Sequence, residues 1–90
     1  MNKSELAAVI AQQHNISKSL ADRILDTLVD SMTETLKNGG TIQVHGFGSF
    51  YVGQRAARTG RNPRTGEAIK IQEARQPKFR AGKKLKEIVN

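Results

Sequence analysis

Residues 58 to 71 read RTGRNPRTGEAIKI, with three arginines and a lysine spaced around one proline. The first acid in the stretch is Glu67, and its first bulky aliphatic is Ile69. Arg55 precedes it and Arg75 follows it. Guanidinium groups stay charged at neutral pH, so they neither shuttle protons nor act as nucleophiles. Their chemistry is the binding of anionic oxygens, phosphate above all. A segment of this composition has almost nothing to bury, so it must lie in solvent or against a partner.

Asn62-Pro63-Arg64-Thr65-Gly66 is turn chemistry. Asn suits the first turn position, proline pre-sets φ at the second, and glycine accepts the left-handed conformation that returns the chain. The flanks QRAARTGR and EAIKIQEAR are then expected to pair as a long two-stranded ribbon. Such a ribbon is marginal in water by itself. Arg55, Arg58, Arg61, Arg64, Lys70 and Arg75 decorate it. Arg55 and Arg58 differ in parity, as do Arg61 and Arg64, so both faces are expected to be basic unless a bulge intervenes. A doubly basic ribbon can lie in a nucleic-acid groove, and arginine suits a narrow, electronegative one. Pro63 has two readings at this level. It either only makes the turn, or it is a rigid wedge that unstacks base pairs and kinks a duplex. Side-chain chemistry alone balances them evenly.

Other chemistry finds little support. GFGSF lacks the third glycine and the helix of a dinucleotide loop, and AGKK lacks the glycine and Ser/Thr of a phosphate loop. His14 and His45 stand far apart without metal-ligand spacing. Ser49 has no base candidate beyond His45. No enzyme activity, cofactor or metal is expected. With no cysteine, disulfides are excluded, which suits a reducing cytosol. MNKSELAAVIAQQHN has no uninterrupted apolar stretch, so no signal peptide is expected. No run approaches the roughly 18 apolar residues of a membrane span.

The net charge of +7 is segregated: residues 1–54 sum to −1 and residues 55–90 to +8. That concentration of positive field implies a polyanionic partner.

The elements that must carry this segment are legible from spacing. Asn2 with Glu5 resembles a capping box, and Leu6, Val9 and Ile10 give helical spacing through about His14. Ser17 is expected to cap a second helix, with Ile16 as a staple. Leu20, Ile24, Leu28, Met32 and Leu36 recur every fourth residue, widened by Leu25 and Val29, while Asp22, Asp26, Asp30 and Glu34 form a separate solvated face. Asn38-Gly39-Gly40 ends that helix. TIQV alternates as a strand does, Gly46 makes a turn, and Phe47 and Phe50 open a second strand. Burial resumes at Phe79, and Gly82, Leu85, Ile88 and Val89 fit a short last helix bearing Lys83, Lys84 and Lys86. Its cap is expected at Ala81, a poor N-cap, so its start should fray.

This gives an α+β domain of order α-α-β-β-(arm)-β-α. Residues 1–53 and 77–90 form the body and 54–76 the arm. About 65 residues remain for a core, too few to cover two helices and a sheet, so a symmetric dimer is expected.

GFGSF, RTGRNPRTG, IKI and FRAGKKLK, in that order over essentially all 90 residues, resemble the bacterial histone-like DNA-binding proteins, HU and its relative integration host factor. These are themselves standard examples of minor-groove architectural proteins. The resemblance, closest to HU, implies an intertwined dimer with a helical base, a small antiparallel sheet and two β-ribbon arms embracing DNA. It makes Pro63 the intercalating tip and Arg61, Asn62 and Arg64 its minor-groove neighbours. Arg55, Arg58, Lys70 and Arg75 become arm contacts, and Lys3, Lys83 and Lys86 flank contacts. Phe47, Phe50 and Phe79 become core. His45 departs from the family pattern, which calls for an aliphatic or small residue there; partly buried, it could make a dimer pH-sensitive.

The function so implied is a nucleoid-associated protein of the bacterial cytoplasm. It would bind double-stranded DNA with little sequence specificity and bend, wrap and compact it. Bent, nicked or junction forms should bind best, by a homodimer or a heterodimer with a paralogue. A sequence-selective bending factor is the alternative, disfavoured by the missing C-terminal extension. An RNA-binding or assembly role is secondary, because the shallow minor groove of A-form RNA suits groove insertion poorly.

Overall fold

A computed structural model describes the backbone of all 90 residues and every side chain except those of Arg58 and Ile71. Helix α1 spans Lys3–His14 and α2 spans Lys18–Lys37. Strands follow at β1 Ile42–Val44, β2 Gly48–Arg55, β3 Arg58–Arg61, β4 Ala68–Ile71 and β5 Ala74–Ala81, and α3 closes the chain at Lys83–Val89.

Local chemistry sets the helix boundaries. Asn2 Oδ1 accepts from the Glu5 N–H at 2.8 Å, and Ser17 Oγ accepts from the Leu20 N–H at 3.0 Å. At the far end of α2 the Gly40 N–H donates to Thr35 O and the Gly39 N–H to Leu36 O, a complete Schellman closure. It requires the left-handed φ of +80° that Gly39 adopts. The last helix departs from expectation. Its N-cap is Gly82, not Ala81, and no side chain caps it. Ala81 is instead the last residue of β5, paired with Gly48, so sheet pairing carries the extended backbone one residue past the expected cap.

The buried core is small: Ala7, Ala21 and Leu25, with Leu6, Ile10, Ala11 and Ile16 packed around them. It lies between α1 and α2, where two alanines let the helices approach closely. The body sheet has the order β1-β2-β5, antiparallel throughout, and β3 pairs with β4 in a second ladder. Phe79 sits against both Phe50 and Phe47, at ring-centroid distances of 4.8 and 5.4 Å. This cluster was expected as core, yet Phe47 and Phe79 remain 44% and 43% exposed within one chain. Ile24, Leu28 and Val29 on α2 are likewise open to solvent.

The chain is correspondingly extended. Its radius of gyration is 19.0 Å over a 59 × 31 × 28 Å envelope, against about 12 Å for a compact domain of this length.

Candidate nucleic-acid interface

The arm grows directly out of the body sheet. Pairing of β2 with β5 runs from Gly48↔Ala81 to Arg55↔Ala74, so the body ladder reaches past the expected arm boundary at Gln54 and Gln76. Strand pairing then lapses at Ala56–Ala57 and Gln72–Glu73 and resumes at Arg58↔Ile71. Two residues are skipped on each strand, so the register is the same on both sides of the gap and no bulge intervenes.

An unbroken register carries one face from body to tip. Side chains alternate across a strand, and directly paired residues share a face. Arg55, Arg61 and Lys70 therefore lie on the same face as Lys78 and Arg80 of the body sheet. The apolar Ile69 has the opposite parity, and the acid Glu73 lies in the unpaired lapse between β4 and β5. Arg75 also has the opposite parity, paired with Gln54. Arg64 sits in the tip loop, where strand parity does not apply. With no bulge, cations stand on both faces, Arg75 on one and Arg55, Arg61 and Lys70 on the other, and it is the second face that carries no acid. Arg58 was the other cation assigned to the ribbon, and its side chain lies outside the described residues.

The tip is tightly specified. The Asn62 N–H donates to Glu67 O and the Gly66 N–H to Asn62 O, both at 2.8 Å. Asn62 Oδ1 accepts from the Arg64 N–H at 2.9 Å, an Asx turn that folds the chain around Pro63. Gly66 returns the chain at φ +73°. Arg61 Nη1 reaches Gly66 O at 3.4 Å and braces the loop. Pro63 and Arg64 are exposed at the apex, while Asn62, used by the turn, is half-buried.

Arg55 spans the lapse in the ladder: its Nη2 donates to Gln72 O at 2.9 Å. Lys70 is exposed, as are Lys83 and Lys86 on α3. Lys3 is exposed too, but its Nζ is 2.6 Å from Asp26 Oδ1 on the acidic face of α2. That ion pair raises its pKa above the ordinary lysine value, through the hydrogen bond first and the charge of Asp26 second. Arg75 is exposed as well, but its guanidinium reaches back to the body, donating from Nη2 to Leu36 O and Lys37 O at 3.3 and 3.1 Å. Among the described residues, the two ion pairs both involve α2 acids, and none involves an arm cation. His45 is exposed in the β1–β2 turn, so it is not partly buried within one chain.

Two cations of this face escaped the sequence reading. Arg80 lies over the Tyr51 ring, 5.4 Å from its centroid. Lys78 lays its stem across Gly53, where an added Cβ would meet Lys78 Cε at 2.8 Å. The available signal was their even spacing behind the arm, which becomes meaningful once the register is known.

Comparison with known proteins agrees with this geometry. A family model described as bacterial DNA-binding protein matches residues 1–90. The chain is 54% identical to DNA-binding protein HU-beta of Escherichia coli over 90 residues, all of both chains. It is 55% identical to DNA-binding protein HU of Neisseria meningitidis, covering 97% of this chain and 98% of that one. Among solved structures, the Anabaena HU–DNA cocrystal structure superposes with a TM-score of 0.89 at 39% identity, covering 99% of this chain and 97% of the other. HU from Thermotoga maritima follows at a TM-score of 0.68 and 33% identity, over the full length of both. With a full-length family match, full-length identities above one half and a shared α+β fold, the chain belongs to the bacterial DNA-binding protein family of HU and its relatives.

Proposed function

We propose that this protein is a homodimeric, histone-like DNA-binding protein that bends and compacts duplex DNA on the bacterial nucleoid with little sequence preference. Its family is one of structural DNA-binding proteins, not of enzymes. The observation that carries the reading is the acid-free cationic face running without register change from Arg80 and Lys78 through Arg55 to Lys70 and Arg61. A ribbon so charged on one side can follow a groove with its cations toward the phosphates. Pro63 is exposed in the turn at its end, which suits a wedge entering between base pairs.

Two chains are needed to complete the fold. The open faces of α2 and of the Phe47–Phe79 cluster are apolar surface that a second copy would bury. Two arms would then emerge from one body and grip the duplex from both sides. With phosphate contacts dominating and no base-reading helix in a groove, affinity follows salt and DNA deformability.

A gel-shift panel over linear, nicked and four-way-junction DNA and duplex RNA, at two salt concentrations, tests this. Nicked and junction DNA should bind more tightly than linear duplex. Affinity should fall steeply with salt, and random-sequence competitor should displace as well as any chosen site. Equal affinity for duplex RNA and duplex DNA at matched salt would overturn the reading.

A further inference from the structure

We propose that Arg75 is a positioning residue: it ties the root of the arm to the C-terminal end of α2 and so sets the arm's direction, rather than contacting phosphate. This rests on reading the arm as the DNA-binding element.

The tie is made where the helix needs it. Gly39 and Gly40 satisfy Leu36 O and Thr35 O, and Arg75 Nη2 then donates to Lys37 O at 3.1 Å and shares Leu36 O at 3.3 Å. A helix C-terminus carries the negative end of the helix dipole, so a guanidinium there is held by charge as well as by hydrogen bonds. A Cβ added at Gly39 would lie 3.7 Å from Arg75 Nη2, so the guanidinium rests directly on the turn that ends the helix.

It is also made where leverage is greatest. Arg75 is the second residue of β5, just body-side of the lapse at Gln72–Glu73. It shares the face of the Val52↔Pro77 pair, which lines a groove with Leu36. The tip at Thr65 is ten residues further out, about 33 Å at a strand's rise. A swing of about 10° at the root therefore moves Pro63 by roughly 6 Å, more than one base-pair step. Both helix bonds come from Nη2, so a phosphate that pulled the guanidinium away from α2 would strip them together. Arg61, Arg64 and Lys70 are exposed further along the arm without that cost.

The test uses the full chain, whose lack of cysteine leaves no labelling background. Spin labels are placed at Asp30→Cys on α2 and Thr65→Cys at the tip, in labelled chains diluted with unlabelled ones, with and without Arg75→Gln. Pulsed EPR on free protein should show a narrow α2-to-tip distance distribution that broadens in Arg75→Gln and narrows again in Arg75→Lys. DNA affinity should fall roughly three- to tenfold at every salt concentration. The slope of log K against log salt should stay unchanged, whereas loss of a phosphate contact flattens it by about 0.9. An unchanged distance distribution overturns the proposal, whether accompanied by a flattened slope or only by a lower Tm. Should Arg75→Gln not fold, NMR of the parent decides: the Arg75 guanidinium protons should stay protected from exchange and unshifted when DNA is added, and a shift to a phosphate-bound position overturns the tie. A parent that fails to bind DNA removes the functional reading, while the EPR comparison still judges the tie.

Discussion

Gly48 stands against Phe79 so closely that a Cβ built on it would lie 2.7 Å from the Phe79 ring and 2.5 Å from Arg80 O. Gly48 pairs with Val44 on one side and Ala81 on the other, so its backbone is held between β1 and β5, as are those of Ser49 and Phe50. One neighbour is strand backbone, which cannot give way, and the other is a ring in contact with both Phe47 and Phe50. Gly48→Ala should destabilise the fold by about 1–3 kcal/mol, the usual cost of overpacking a fitted site. Urea unfolding checks this, and a midpoint equal to the parent's would refute it.

The second prediction concerns the open face of α2, where Leu28 is 51% exposed in the single chain. A core of three buried residues among those described is too small to support 90 residues alone. The parent should sediment as a dimer at micromolar concentration. Leu28→Asp should lose both the dimer and most helical circular dichroism together. A parent that sediments as a stable, fully helical monomer would sink the two-chain core.

What was legible in the sequence was local, and what was not was long-range. Asn2 and Ser17 cap as their spacing predicts, because a cap is settled within three residues. Gly39 ends α2 and Gly66 returns the tip for the same kind of reason: each supplies a positive φ that its neighbours demand. Arg75 could not be placed this way, since its partners Leu36 and Lys37 are 39 and 38 positions distant. Lys78 and Arg80 joined the arm's cationic face through register, a property of the paired strands rather than of either one. Ala81 was misjudged as a cap because pairing with Gly48 overrode local preference. The Phe47–Phe79 cluster was recognised as apolar, but the single chain leaves both rings partly open to solvent.

Pro63 separates wedge from turn. The Asx bond from the Arg64 N–H to Asn62 Oδ1 and the Gly66 return do not involve the proline ring, so Pro63→Ala should keep the hairpin tip. Most of the affinity, supplied by phosphate contacts, should remain. The bend should shrink, read as a longer end-to-end distance by FRET on duplex DNA labelled at both ends. An unchanged FRET efficiency in the bound complex would leave Pro63 only its turn role.

Lys3 gives a pH prediction. Its pKa is raised above the ordinary 10.5 by the hydrogen bond to Asp26, then by the charge of Asp26, with smaller help from Asp22 and Asp30. A lysine raised in the folded state favours folding at every pH below its unfolded pKa. That contribution is lost as pH climbs through the folded value, so the effect belongs to the alkaline limb, above about 10.5. NMR titration of the Lys3 side chain should give a midpoint that drops toward the ordinary value in Asp26→Asn. Identical midpoints in the two proteins would show that the ion pair does not persist in solution. The same pairing means that a phosphate reaching Lys3 must displace Asp26.

Lys78 and Arg80 test the continuous face itself. Both belong to the body sheet, both share the parity of Arg55, Arg61 and Lys70, and neither is paired with an acid among the described residues. If the duplex lies along this face, each cation that meets a phosphate releases a counterion. Lys78→Ala and Arg80→Ala should each flatten the log K against log salt slope by about 0.9. Arg80→Ala should also free Tyr51, whose ring loses its cationic cover and shifts in fluorescence. The loss should be the same for random and selected duplexes, because phosphate contacts carry no base identity. Parent-like slopes in both variants would confine the DNA to the arms and the flanks at Lys3, Lys83 and Lys86, leaving the body sheet out of the interface.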